Sequence, residues 1–239
     1  MPFPRAVFLD LDDTILDDSG DSHLCWAEAC AAHRHGELEP SEVHEAIQRV
    51  RAWYWSHPGR HREGRLKLND ARREVVAKAL ADLGVNDPAV ATGIASTYSE
   101  LRRQKIRPFD GAVETVRWLR TLPLRLALIT NGSALDQREK IERFELAHLF
   151  DLVLIEGELG FGKPDPRVYH HALETLGVAA AEAWMVGDNL EWEVLVPKQL
   201  GLTSVWVDRH ARGLPRGFDP APDHIVHRLS ELRACFPHE

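Results

Sequence analysis

The chain sets acidic, hydroxyl and basic side chains in an order that could handle an anionic group. Two carboxylates, Asp10 and Asp12 in Asp10-Leu11-Asp12-Asp13-Thr14, follow the apolar run Ala6-Val7-Phe8-Leu9. Like charges this close raise each other's energy unless a cation or hydrogen bonds offset them. The pair therefore suits a metal ion or a polar substrate, with an acidic surface turn as the plain alternative. Ile129-Thr130-Asn131-Gly132-Ser133 closes another apolar run. It offers a hydroxyl and backbone N–H groups of the kind that hold phosphate oxygens. Gly160-Phe161-Gly162-Lys163-Pro164-Asp165-Pro166 puts a lysine on a Gly/Pro-held loop just before a helix start, where a fixed cation meets a positive helix end. Val186-Gly187-Asp188-Asn189-Leu190-Glu191-Trp192-Glu193 adds a second acidic cluster. Each alone could be an ordinary turn or cap. All four, after successive apolar runs, point to one site.

Those runs are the elements that must position the site. Ala6–Leu9, 126–129, 152–155, 183–186 and 204–207 are short and continuously apolar, and His224-Ile225-Val226 could add an edge strand. Continuous rather than alternating runs fit strands buried on both faces, as in a parallel sheet. Helical patterns separate them: Ala112 to Thr121, Asp136 to Phe144, and Pro166 to Leu176, the last closed by Gly177. The pattern is that of a doubly wound α/β fold, in which ligands bind at the carboxyl ends of the strands.

The rhythm breaks after the first strand. The next strand begins near Arg125, and the stretch between reads as helices over Ser22–His35, Pro40–Ser56, Leu68–Leu83 and Pro88–Arg103, with punctuation at Gly36, Pro58-Gly59 and Gly84. Residues 17–107 are read as an all-helical domain inserted into a core made of residues 1–16 and 108–239. A long helical excursion of a single domain is the alternative. Hinges are expected at Asp17–His23 and Arg107–Gly111.

Composition bounds the rest. The 239 residues are 44% hydrophobic and 28% charged, with a net charge of -8, an ordinary globular balance unsuited to coating nucleic acid or an anionic membrane. No apolar run approaches the ~18 residues of a transmembrane helix. Met1-Pro2-Phe3-Pro4-Arg5 leads into a strand, not into a signal-peptide pattern. The odd set Cys25, Cys30 and Cys235, with no CxxC, argues against a disulfide framework or structural zinc, and for free thiols in a reducing cytoplasm.

The ordered set Asp10-x-Asp12-x-Thr14, Thr130, Lys163 and Gly187-Asp188 resembles the haloacid dehalogenase-like (HAD) hydrolase superfamily, specifically its phosphatases with a C1-type helical cap. The resemblance implies a Rossmann-like core with the cap inserted after the first strand. It implies that Asp10 is the nucleophile, passing through an aspartyl-phosphate. Asp12 would be the acid that protonates the leaving oxygen and then the base for water. Thr130, Asn131, Gly132 and Lys163 would hold the phosphoryl group. Magnesium is implied, on the Asp10 and Asp188 carboxylates and the Asp12 carbonyl. One departure stands out: Glu193 occupies the position, five residues after Asp188, where the family often has Asp. It is expected behind the metal ligands, with Asn189 near the metal's waters. Related dehalogenases lack the second acid, because a halide leaves without a proton, so Asp12 favours phosphoryl transfer. The resemblance thus implies a magnesium-dependent phosphatase acting on a small phosphomonoester, as monomer or homodimer. A phosphomutase and a non-catalytic binding or regulatory module are the competing readings.

Within the insert, Arg49 to Lys67 carries six Lys/Arg and one acid around Trp53-Tyr54-Trp55. Such a stretch could stack a ring and pair with an anion, or its aromatics could pack between helices while the charges face water. His170-His171 and Trp206-Val207-Asp208-Arg209 read as surface and as core-plus-turn, respectively.

Overall fold

The computed structural model describes residues 3–34 and 36–237. His35, the last residue of the first expected insert helix, lies outside the described residues, as do Met1-Pro2 and His238-Glu239 at the ends of the expected core. In chain order the elements are β1 (Ala6–Leu9), β2 (Leu16–Asp17), α1 (Ser22–Ala32), α2 (Pro40–Trp55), α3 (Pro58–Leu66), α4 (Leu68–Asp82), α5 (Pro88–Lys105), β3 (Arg107–Pro108), α6 (Ala112–Arg120), β4 (Arg125–Thr130), α7 (Ala134–Arg143), β5 (Leu152–Ile155), α8 (Glu156–Leu159), α9 (Pro166–Leu176), β6 (Ala183–Gly187), α10 (Val196–Gln199), β7 (Thr203–Val207) and β8 (His224–Val226). A π-helical turn, Leu190–Leu195, runs directly into α10.

All six expected apolar runs are strands of one parallel sheet, ordered β5-β4-β1-β6-β7-β8. The order reverses beside β1: β4 and β5 extend one side, and β6, β7 and β8 the other. Such a reversal opens a crevice at the carboxyl ends of the strands, and Asp10 follows the central strand directly. Successive side chains of β1 serve opposite faces. Ala6 and Phe8 join Ala127, Ile129 and Met185 under Val168, Tyr169 and Ala172 of α9. Behind the other face Trp184 packs on Phe236 (ring centroids 4.8 Å apart), which meets Trp118 of α6 at 5.2 Å.

The chain divides into two compact units, residues 1–17 with 107–239, and Asp18–Ile106. Among the described residues, the regular elements of the second unit are all helices, with a core of their own built from residues such as Trp26, Ile47, Val76, Leu80, Ile94 and Tyr98. Its helix starts follow local chemistry. Asp87 accepts the N–H groups of Ala89 and Val90 (2.9 and 3.1 Å) ahead of Pro88 at the first helical position. Cys25 and Cys30 are buried and free, and burial pushes the Cys30 thiol up to about 11.

Two elements differ from the sequence reading. Pro58-Gly59, read as punctuation, instead opens α3: Pro58 takes the first helical position and His57 Nδ1 accepts the Arg60 N–H at 3.4 Å. The stretch Asp17–His23 and the turn Arg107–Gly111 both contain a strand residue. Leu16 pairs with Pro108 and Asp17 with Arg107 in a short antiparallel ribbon. Two-residue strands carry too little pattern to be seen in a sequence.

Candidate active site

The loop after β1 is wound tightly on itself. Ile15 and Leu16 donate their N–H groups to Leu11 O, Asp13 donates to Leu16 O, and Asp13 takes a left-handed conformation (φ 58°). Asp10 sits at its base, 7% exposed, with both carboxylate oxygens engaged: Lys163 Nζ donates to Oδ1 at 2.6 Å and the Thr14 hydroxyl donates to Oδ2 at 3.1 Å. Two side chains from different elements thereby fix the orientation of this carboxylate.

Lys163 is fully buried and bridges Asp10 to Glu193 Oε1 (2.8 Å). Burial alone would lower the pKa of such an ammonium, but the two carboxylates outweigh it and hold it above its ordinary range. The loop that delivers it is clamped by Asn131: the Lys163 N–H donates to Asn131 Oδ1 (2.8 Å) and Asn131 Nδ2 donates to Lys163 O. Gly162 allows that approach, since a Cβ there would lie 2.5 Å from Asn131 Oδ1 and 2.7 Å from Glu156 Cβ. Gly132 donates its N–H to Glu156 Oε2 (3.1 Å), so that donor is directed into the protein.

Glu193 hangs from the π-helical turn, also fully buried, and accepts the Asn189 N–H at 2.7 Å. The Tyr169 hydroxyl donates to Trp192 O and steadies that turn. Asn189 caps it, its Oδ1 accepting from Glu191 and Trp192 (3.0 and 3.2 Å). Its side chain is thus held on its own backbone. A Cβ at Gly187 would fall 2.2 Å from Glu193 Cγ and 3.0 Å from Asp10 Cβ. Only glycine lets β6 end between these two acids. Asp188 follows, its carbonyl held by Trp206 Nε1 at 2.8 Å. Burial, then Asp10 and Glu193, push its carboxyl up to about 8, and burial raises that of Glu193. Three carboxylates face one ammonium, and the excess negative charge calls for a cation.

Asp12 is partly exposed and paired with residues the sequence did not single out. Lys140 Nζ donates to its Oδ1 (2.8 Å), and Gln137 Nε2 to its Oδ2 (2.9 Å) and to Thr130 Oγ1. Gln137 thus ties Asp12 to Thr130. A usable signal existed: Gln137 stands four residues before the buried Ile141, so a polar residue lies on the apolar face of α7. Arg209, read as part of a turn, donates to Asp13 O and Thr14 O (3.3 and 3.1 Å) and lies over the Phe109 ring at 3.2 Å. It braces the loop that carries both aspartates.

Asp10, Thr130, Lys163, Asp188 and Glu193 therefore lie together at the carboxyl edge of the sheet, with Asp12 reached through Gln137. The chain matches the haloacid dehalogenase-like hydrolases over residues 4–201. It belongs to that family. Among curated relatives it is 36% identical to a phosphoserine phosphatase of Thermus thermophilus, covering 97% of this chain and 98% of that protein. It is 28% identical to a glyceraldehyde 3-phosphate phosphatase of Methanopyrus kandleri (95% of each) and 29% identical to the N-acylneuraminate-9-phosphatase of Mus musculus (96% and 92%). Among solved structures, a 2-haloacid dehalogenase from Pseudomonas syringae is 26% identical with a TM-score of 0.63, covering 97% of each chain. The protein is thus a hydrolase with the HAD fold, related in sequence to phosphatases.

The residues present fit magnesium. Asp10 and Asp188 supply hard carboxylate oxygens at a site already short of positive charge. Among the described residues no three or more His, Cys, Asp or Glu side chains form a metal cage. Magnesium needs none, since it keeps several waters and takes one or two carboxylates.

Proposed function

We propose that the protein is a magnesium-dependent phosphatase that hydrolyses a small phosphomonoester through an aspartyl-phosphate on Asp10. The observation that carries this reading is the doubly held, nearly buried Asp10 carboxylate, gripped by Lys163 and Thr14 beside a second acid. A nucleophile fixed in this way can meet phosphorus in line with the leaving oxygen, and positioning is most of what phosphoryl transfer asks of a protein.

In the first half-reaction an Asp10 oxygen bonds phosphorus as the bond to the leaving oxygen breaks, and Asp12 gives that oxygen a proton. In the second, Asp12 takes a proton from water as the water attacks the acyl-phosphate. Phosphate leaves and the Asp10 carboxylate is restored. Lys140 and Gln137 hold Asp12 at both oxygens. Thr130 would donate to a phosphoryl oxygen, and Lys163 would offset charge on Asp10 and the transferring group. Magnesium, on Asp10, Asp188 and the Asp12 carbonyl, would shield the nucleophile from the anionic substrate. Asp12, an acid that a halide leaving group would not need, favours phosphoryl transfer over dehalogenation. The named relatives support a small phosphorylated metabolite as substrate.

The test is release of inorganic phosphate from a panel of phosphomonoesters, with and without magnesium, beside Asp10→Asn. Magnesium-dependent release abolished by the substitution is the expected result. Folded protein that releases no phosphate from any ester, or an Asp10→Asn variant as active as the parent, would overturn the reading.

A further inference from the structure

The helical unit, residues 18–106, carries a half-open cavity of about 180 Å³ whose lining is rich in cations. Arg51 of α2, Arg72 of α4 and Arg102 of α5 all line it, against one carboxylate, Asp18, which pairs with Arg102 at 3.4 Å. Arg102 is only 5% exposed. The hydrogen bonds of Arg51 go to neutral groups, Gln48 Oε1 (2.7 Å) and Ser22 Oγ (3.3 Å). Burial, with the charges of Arg102 and Arg72 adding to it, lowers the pKa of Arg51. Three guanidinium groups and one carboxylate around a concave surface leave a net positive charge that an anion would offset.

The floor is built rather than accidental. Trp26 and Tyr98 stack at 3.7 Å between ring centroids, 10° from parallel. Arg51 lies 5.7 Å over Trp26 and Arg72 5.1 Å over Tyr98, so the aromatic faces hold two of the cations in place. Ser22 Oγ and Tyr98 OH, 3.0 Å apart, bring hydroxyls to the same wall. Trp26, 1% exposed, lines the cavity, and its indole N–H is buried without a hydrogen-bond partner. Buried donors of this kind are rarely left unmatched unless a ligand or water answers them.

We propose that this cavity is a binding site for a small oxyanion, a carboxylate or a phosphate. Arg51, Arg72 and Arg102 select it, since planar guanidinium groups pair bidentately with either oxyanion. The basic and aromatic stretch noted in the sequence divides accordingly. Arg51 and Trp55 line the cavity. Arg60 instead covers the exposed Trp53 ring at 3.9 Å and donates to Trp53 O and Tyr54 O, which is structural work.

A titration tests this. The Trp26 indole resonance of the ¹⁵N-labelled protein, assigned with Trp26→Phe, is followed with malonate, inorganic phosphate or neutral malonamide at constant ionic strength. A saturable shift with malonate or phosphate, absent with malonamide and weakened about tenfold or more in Arg51→Gln and in Arg72→Gln, is expected. The stronger of the two anions names the source. No shift with either anion, or an unchanged shift in both variants, overturns the proposal.

Discussion

At the scale of single residues, the site is an arrangement of charges with too few cations. Asp188 is the clearest reporter. Its folded pKa of about 8 lies far above the 3.8 of an ordinary aspartate, so the metal-free folded state keeps a proton that the unfolded chain gives up. Stability from that protonation is fully present below the unfolded value and is lost as pH rises through about 8. Urea midpoints measured in chelator should therefore fall from pH 5 to pH 8, and Asp188→Asn should flatten the slope. Magnesium, which competes with that proton, should raise the midpoint more at pH 8 than at pH 5. A midpoint independent of pH would contradict the charge arrangement described above. The second residue-scale prediction concerns Gln137. Its loss frees both Asp12 and Thr130 from a shared tether. Gln137→Leu should lower kcat on 4-nitrophenyl phosphate by roughly 10–100-fold, the usual effect of removing a supporting hydrogen-bond partner, with a far smaller change in KM. Steady-state kinetics decides between that outcome and an equal loss in both constants.

At the scale of elements, what matters is how closely strand ends and loops approach one another. Gly187 ends β6 where Glu193 and Asp10 leave no space for a methyl group. Gly187→Ala should cost about 1–3 kcal/mol through overpacking, read as a lowered Tm. It should also reduce turnover, because the displaced atoms belong to the acid that holds Lys163. A variant of parental Tm and activity would show that the turn yields at no cost. Much of this element-level plan was legible in the sequence. The six apolar runs of the sheet, the Gly/Pro frame around Lys163 and the Pro-opened α9 each carry their signal within a few neighbouring residues. Gln137, Lys140, Trp206 and Arg209 were not read as parts of the site, because their partners Asp12, Asp188 and Asp13 come from other elements and no local pattern names a contact across the fold. α3 was missed for the opposite reason: Pro58-Gly59 carries a strong local turn signal, and the helix forms because Pro also suits a first helical position.

At the scale of the whole molecule, each of the two units has its own hydrophobic core, and the ribbon Leu16↔Pro108, Asp17↔Arg107 brings the ends of the first unit side by side. Residues 18–106 should therefore be replaceable by a short Gly/Ser linker without loss of the parallel sheet, because loop closure between adjacent ends costs little. Cooperative thermal unfolding and a circular dichroism spectrum of α/β type are the expected signs. A molten, non-cooperative product would mean that the sheet depends on the insert.

The central place of β1 has a further consequence, for the living ribosome. The strand precedes every other strand of its sheet, yet both of its partners, β4 and β6, come much later, and Arg125 follows Leu9 by 116 residues. At ~5–20 residues per second of synthesis that is a wait of roughly 6–23 s. Helical units rich in local contacts fold in microseconds to milliseconds, so residues 18–106 complete their own core well within the delay. A nascent chain with its helical insert already folded and Ala6–Leu9 still unpaired on both edges is thus a scheduled stage in the birth of this enzyme, and the stage at which a chaperone has the most to protect.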